Sequence, residues 1–207
     1  MLASAAKLFR EKGYAGTSTR ELAASAGLQS ASLYHHIGTK EDLLYRLSVT
    51  TLEEVADLFG RVVAEGSDPV ATLERLVRSY VELLLEERDR HAAMLNELRA
   101  LSAQRRVEVV ELRDRNVALV RDVVGRAQQA GGVRSDIDPK YATLALFNLL
   151  NWTIFWYDPD GDLDPASIGE MLWGVLFRGL MSSQDAPPAQ RKPRREPARR
   201  SKGTAGT

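Results

Sequence analysis

The densest run of polar chemistry in this 207-residue sequence is Ser30 to Lys40, SASLYHHIGTK, which gathers hydroxyls, a phenol, two imidazoles and an ammonium within eleven residues. These are hydrogen-bonding groups, and no recognisable nucleophile, base and oxyanion set accompanies them. His35 and His36 are adjacent in sequence, so on a helix they point about 100° apart and make a poor metal pair. The absence of cysteine excludes disulfides, thiol nucleophiles, iron–sulfur clusters and Cys-based zinc sites. Downstream the only histidine is His91, with no acid–base partner in evidence. An enzyme is therefore not expected, and no cofactor or metal is implied. The run Asp158 to Asp164, DPDGDLD, resembles part of a calcium loop, but Gly169 stands where its twelfth-position glutamate belongs, so a solvated turn is expected.

The elements that must position these groups are helices. Leu2, Ala5, Ala6 and Phe9 recur at helical spacing, with Gly13 placed to end the helix. Ser18 and Glu21 fit a capping box, which predicts a helix from Thr19 to Ala26. After a turn at Gly27, Leu33 and Ile37 share one face of a third short helix, and Thr39 caps a long one beginning at Lys40. Three Asp-Pro pairs, Asp68-Pro69, Asp138-Pro139 and Asp164-Pro165, predict further helix starts. A separate helix is expected over His91 to Leu101, and another through Val107, Val110, Val117, Val120 and Val124, ended by Gly131 and Gly132. No period-2 strand pattern appears, so the fold class is all-α.

Charge divides the chain into three. Residues 1–48 carry six basic and four acidic side chains, residues 49–181 fifteen and twenty-two, and residues 182–207 seven and two. The net zero thus conceals a mildly basic head, an acidic middle and a basic tail. The head reads as one domain, residues 49–181 as a second, and residues 182–207, lacking apolar periodicity, as a disordered tail that either tethers DNA nonspecifically or is a dispensable extension. The longest apolar run, Leu144 to Tyr157, is 14 residues and contains Asn148 and Asn151, too short and too polar for a bilayer. No membrane association is expected, no secretory signal is recognisable, and the chain fits the cytoplasm.

Two short helices joined by a glycine turn, the second rich in small polar residues, make a helix-turn-helix pattern. The stretch Thr17 to Leu44, TSTRELAASAGLQSASLYHHIGTKEDLL, resembles the DNA-binding segment of TetR-family transcriptional regulators. It matches that family's Thr-x-x-x-x-Leu-Ala, Ala-Gly-Leu, Leu-Tyr-x-His-Ile and Lys-Glu-x-Leu landmarks in order and spacing. The resemblance implies an N-terminal helix-turn-helix domain, a C-terminal helical bundle for ligand binding and dimerisation, and double-stranded operator DNA as partner. Ser30, Ala31 and Ser32 would enter the major groove, and Tyr34 and His35 would face the duplex. Thr19, Arg20 and Lys40 would meet the phosphate backbone. Leu22, Ala23, Leu33 and Ile37 read instead as core. Gln29 departs from the Ser or Thr that usually caps the recognition helix, and no basic residue precedes Lys7 where many members carry a basic arm, so modest affinity is expected.

In the middle region, NLLNWTIFWYDPDGDLDPASI resembles family members that respond to acyl-CoA thioesters. Trp152, Phe155 and Trp156 either line an acyl pocket or pack a core or dimer face. Arg113 falls on the expected Val110–Val117 stripe, where a buried guanidinium requires an anion, either Glu97 or Glu82 internally or a ligand. Arg88, Arg90, Arg105 and Arg106 are further basic candidates. The segments 141–157 and 165–180 are too apolar to face water all round, and Gly169, Gly174 and Gly179 would permit close approach in a homodimer. The expectation is a homodimeric repressor on a palindromic operator, released by a hydrophobic small-molecule effector such as an acyl-CoA. An activator, a ligand-independent or drug-responsive regulator, or an α-helical enzyme or ligand carrier are the alternatives.

Overall fold

Caps set the punctuation of the chain. The computed structural model describes residues 2–27, 38–66 and 68–180. Nine α-helices run through these residues: α1 (Leu2–Gly16), α2 (Thr19–Ser25), α3 (Lys40–Glu65), α4 (Pro69–Glu86), α5 (Arg88–Glu97), α6 (Ala103–Gln129), α7 (Pro139–Asn151), α8 (Thr153–Trp156) and α9 (Pro165–Leu180), with a 3₁₀ turn at Leu98–Ala100. No strand occurs among them. The expected third helix with Leu33 and Ile37 lies outside the described residues.

The Ser18 hydroxyl accepts from the Glu21 amide at 3.2 Å while the Glu21 carboxylate accepts from the Ser18 amide at 2.9 Å, the reciprocal box the sequence predicts. Thr39 and Asp42 repeat it at the head of α3, at 3.2 and 2.6 Å. Asp68, Asp138 and Asp164 each accept a first-turn amide, from Ala71, Lys140 and Ser167 respectively. Gly13 adopts φ 73, ψ 163, a conformation open only to glycine, and breaks the helical path inside α1 rather than ending it.

Two apolar clusters hold the helices. The larger joins Val55, Phe59, Leu76, Val81, Val123 and Leu150 with their neighbours on α3, α4, α6, α7 and α9. The smaller joins Phe9, Leu22, Leu44 and Leu47 of the head to Ala93 and Met94 of α5 and Val109 of α6. The head's core is therefore completed by side chains from the part of the chain expected to form the second domain.

The buried line of α6 runs through Val109, Asn116, Val120, Val124 and Ala127, whereas the sequence reading put Val107, Val110 and Val117 on it. Val107 is exposed, and Val110 and Val117 are half-buried. Val120 and Val124 are buried as expected; in the first half of α6 the valines are so frequent that several registers look equally apolar, and packing against α3 and α4 chose another. Gly169, expected at an interface between copies, instead lets α9 approach α4 within this chain: a Cβ there would sit 3.3 Å from Arg78 Cα.

Candidate nucleic-acid interface and effector cleft

Thr19 and Arg20 open α2 directly behind the Ser18 cap, Arg20 exposed and without an ion-pair partner among the described residues. Thr17, buried just before them, donates from Oγ1 to the Gly13 carbonyl at 2.8 Å and so ties the turn to α1. Lys40, expected at a phosphate, is engaged within the chain. Its Nζ donates to the carbonyls of Tyr14 at 2.8 Å and Thr17 at 2.9 Å, and lies 4.2 Å from the centre of the Tyr14 ring. Two of the three ammonium protons are thus engaged in joining α3 to the α1–α2 corner. Ser30, Ala31, Ser32, Tyr34 and His35 lie outside the described residues.

Behind this end, the head is bound to the larger bundle by charge. The Asp42 carboxylate, already accepting from Thr39, is paired with Arg105 of α6. The Thr39 amide and hydroxyl, then Arg105, hold its pKa down at about 2. Glu41 accepts from the Ser102 amide at 2.9 Å, Arg105 stacks 5.1 Å from the Tyr45 ring centre, and the Tyr45 hydroxyl donates to Glu108 at 2.6 Å. On the other flank Arg10 of α1 pairs with Asp89 of α5, and Arg90 is clamped by Glu54 and Glu87.

A cleft of about 380 Å³ opens between α3, α4, α5, α6 and α7, a size that suits a small-molecule ligand. Leu52, Val55, Met94, Val117, Leu144 and Phe147 form its apolar lining. Its polar groups converge from several helices. Tyr80 donates to Asn151 Oδ1 at 2.6 Å, Asn116 donates to the Leu52 carbonyl at 2.9 Å, and Asn148 adds a third amide.

Arg113, read as a buried guanidinium, lines this cleft but is not buried: its side chain is 47% exposed and pairs with adjacent Asp114 at 3.0 Å. Because the buried line in the first half of α6 passes through Val109 and Asn116, Arg113 falls at the mouth and not in the core, out of any pairing with Glu97 or Glu82. Trp152, Phe155 and Trp156 do not line the cleft. They are 63%, 52% and 46% exposed on the outside of the α7–α8 corner, with the Trp152 and Phe155 rings 4.7 Å apart. Of the other basic candidates, Arg88 donates to the Ile154 carbonyl, Arg90 and Arg105 are held by carboxylates, and Arg106 has no side-chain partner among the described residues. Sequence reasoning missed Tyr80, Asn116, Asn148 and Asn151; the available signal was amides recurring at helical spacing within apolar runs.

A helical head with capped helices around a turn, fused to a bundle containing a ligand-sized cleft, is the build of a ligand-responsive DNA-binding regulator. Residues 1–47 match the family profile of bacterial regulatory proteins of the tetR family, and residues 66–180 match the tetracyclin repressor-like C-terminal domain. The chain belongs to the TetR family, whose members are transcriptional regulators and not enzymes. It is 31% identical over 183 residues to the HTH-type transcriptional repressor KstR2 of Rhodococcus jostii, covering 88% of this chain and 90% of that one. Among solved structures it resembles the TetR-family regulator PfmR of Thermus thermophilus, at TM-score 0.80 and 34% identity over 87% of this chain and 98% of that one. It also resembles AibR in complex with isovaleryl coenzyme A and operator DNA, at TM-score 0.78 and 28% identity over 85% of this chain and 95% of that one.

Proposed function

We propose that this chain is a cytoplasmic, one-component transcriptional repressor that grips a palindromic operator as a homodimer and releases it when a hydrophobic molecule with an anionic end, most simply an acyl-CoA, enters the cleft. The observation that carries the reading is the double membership of Met94. Its side chain lines the cleft and is also buried in the cluster that holds α1 and α2. A ligand that binds better when α5 is displaced shifts the head by its differential affinity for the two arrangements. The apolar lining with Arg113 at the mouth suits a hydrocarbon carrying an anion, and the AibR complex provides a relative with a coenzyme A thioester bound.

Dimerisation is supported by where apolar surface remains. Of the large hydrophobic side chains left exposed among the described residues, all but Val107 fall between Tyr141 and Val175, on α7, α8, α9 and their connections. So concentrated a patch marks an interface. Thr19, Arg20 and Lys40, with Ser30, Ala31, Ser32, Tyr34 and His35, are the proposed DNA contacts. Fluorescence anisotropy with DNA upstream of the gene tests the whole reading, repeated with acyl-CoAs, free acids and neutral or cationic hydrophobes. Salt-sensitive binding reversed by the thioesters is expected. Reversal by neutral or cationic compounds alone would reassign the effector class.

A further inference from the structure

His91 has no exposed surface, and neither of its ring nitrogens has a hydrogen-bond partner among the described residues. Buried polar atoms are nearly always paired, so an imidazole with both nitrogens idle points to something that pairs with it in another state. Burial, then the nearby Arg90 charge, lowers its pKa to about 3 and keeps it neutral, with one N–H to donate and one bare nitrogen to accept. The ring meets Tyr80 nearly edge-on, with centres 6.1 Å apart. Tyr80 itself lines the cleft, as does Met94, which follows His91 by three residues and so shares its face of α5. Tyr80 thus borders the cleft and also neighbours the imidazole, and its hydroxyl is tied to Asn151.

We infer that the cleft has an inner subsite behind Tyr80, where His91 hydrogen-bonds a neutral oxygen, a ketone or hydroxyl, carried on the hydrocarbon part of the effector. This rests on the proposed effector reading for the direction of entry, anionic end at Arg113 and hydrocarbon inward. A plain alkyl chain would leave both nitrogens of His91 idle, whereas a carbonyl accepts from its N–H and a hydroxyl can pair with either nitrogen. A second carboxylate is disfavoured there, because a neutral imidazole offers no countercharge and Arg90 is already committed to Glu54 and Glu87.

Two matched pairs of probes test it. Octanoyl-CoA is compared with its analogue bearing a ketone on the penultimate carbon, by calorimetry and operator release. Cyclohexane is compared with cyclohexanone by nitrogen NMR of the His91 ring in histidine-labelled protein, which contains three histidines in all. The oxygenated thioester is expected to bind about tenfold more tightly, as one buried hydrogen bond allows. Cyclohexanone should move the His91 resonances, cyclohexane should not, and His91→Phe should erase the preference in the thioester pair. Equal binding of the thioesters, or a preference that survives in His91→Phe, overturns the subsite. If that variant fails to fold, His91→Leu and the wild-type resonances decide. If cyclohexanone moves His91 while neither thioester releases operator, the effector class is wrong and the subsite stands. If both thioesters release operator equally, the subsite falls and the effector class stands.

Discussion

One carboxylate serves two masters: the Asp42 side chain that caps α3 through Thr39 is also the anion paired with Arg105 of α6. The first turn of α3 is thereby fixed to a helix that lines the cleft proposed for the effector. Arg105→Ala should leave the fold nearly as stable, since a partly exposed pair contributes about 1 kcal/mol or less. It should instead reduce the factor by which an effector changes operator affinity. Anisotropy titrations with and without octanoyl-CoA check this, and an unchanged factor would dismiss Arg105 as a coupling residue.

Lys40→Met should lower Tm as well as operator affinity. The substitution strips a donor from the Tyr14 and Thr17 carbonyls, a loss of about 1–3 kcal/mol if they stay unpaired. Arg20→Ala should cost operator affinity alone, flattening the slope of log affinity against log salt by about one unit for one lost phosphate contact. Thermal melts beside salt titrations separate the two.

Arg113→Ala should weaken an anionic effector about tenfold or more, the worth of a charged hydrogen bond, while leaving Tm and ligand-free operator binding unchanged. Its partner Asp114 is exposed, so little stability is lost with the pair. Calorimetry gives the affinity; a variant that binds thioesters normally removes Arg113 from the site.

Trp152→Glu and Val175→Glu should each convert the dimer to monomer at micromolar concentration in sedimentation velocity, with helicity retained. Both positions are more than half exposed in the chain on its own, so neither change disturbs the bundle core. Operator affinity should fall with dimerisation, because a half-site loses the linked second contact.

Stability should decline on mild acidification. The unfolded His91 imidazole takes up a proton near its ordinary pKa of 6.5, while the buried one resists until about 3. Its contribution is therefore neutral above 6.5 and increasingly destabilising as pH falls from there toward 3, by up to about 1.4 kcal/mol per pH unit. Glu21 and Asp42 act lower down: both are held at about 2, so the stability they add persists above the ordinary carboxylate range and is lost as pH drops through about 2. Denaturant melts of the wild type and His91→Phe across pH 7 to 4 should show the first slope disappear in the variant.

The helical layout was legible because its boundaries are local chemistry. Ser18, Thr39 and the Asp-Pro pairs each announce a helix start through groups within four residues of one another, and each cap forms. Arg113 and the tryptophans were harder because their environment is tertiary. In α6 the apolar residues are too many to define one stripe: Val120 and Val124 are buried as expected, but ahead of them the buried line passes through Val109 and Asn116, which leaves Arg113 at the cleft mouth. Trp152 and Trp156 are large and apolar, yet only the packing of α7 and α8 decides whether such a ring turns inward. The cleft's amides were overlooked because their partners, Leu52 for Asn116 and Tyr80 for Asn151, stand more than sixty residues away along the chain.

The head's dependence on Ala93, Met94, Leu101 and Val109 for its core bears on protein engineering. Grafting residues 1–48 onto another scaffold would leave Phe9, Leu44 and Leu47 facing solvent on the side that α5 and α6 normally cover. A chimera that exchanges operator preference between relatives must therefore carry α5 and the first turns of α6 along with the head, or redesign that seam. Head and bundle in this architecture are inherited as a matched set.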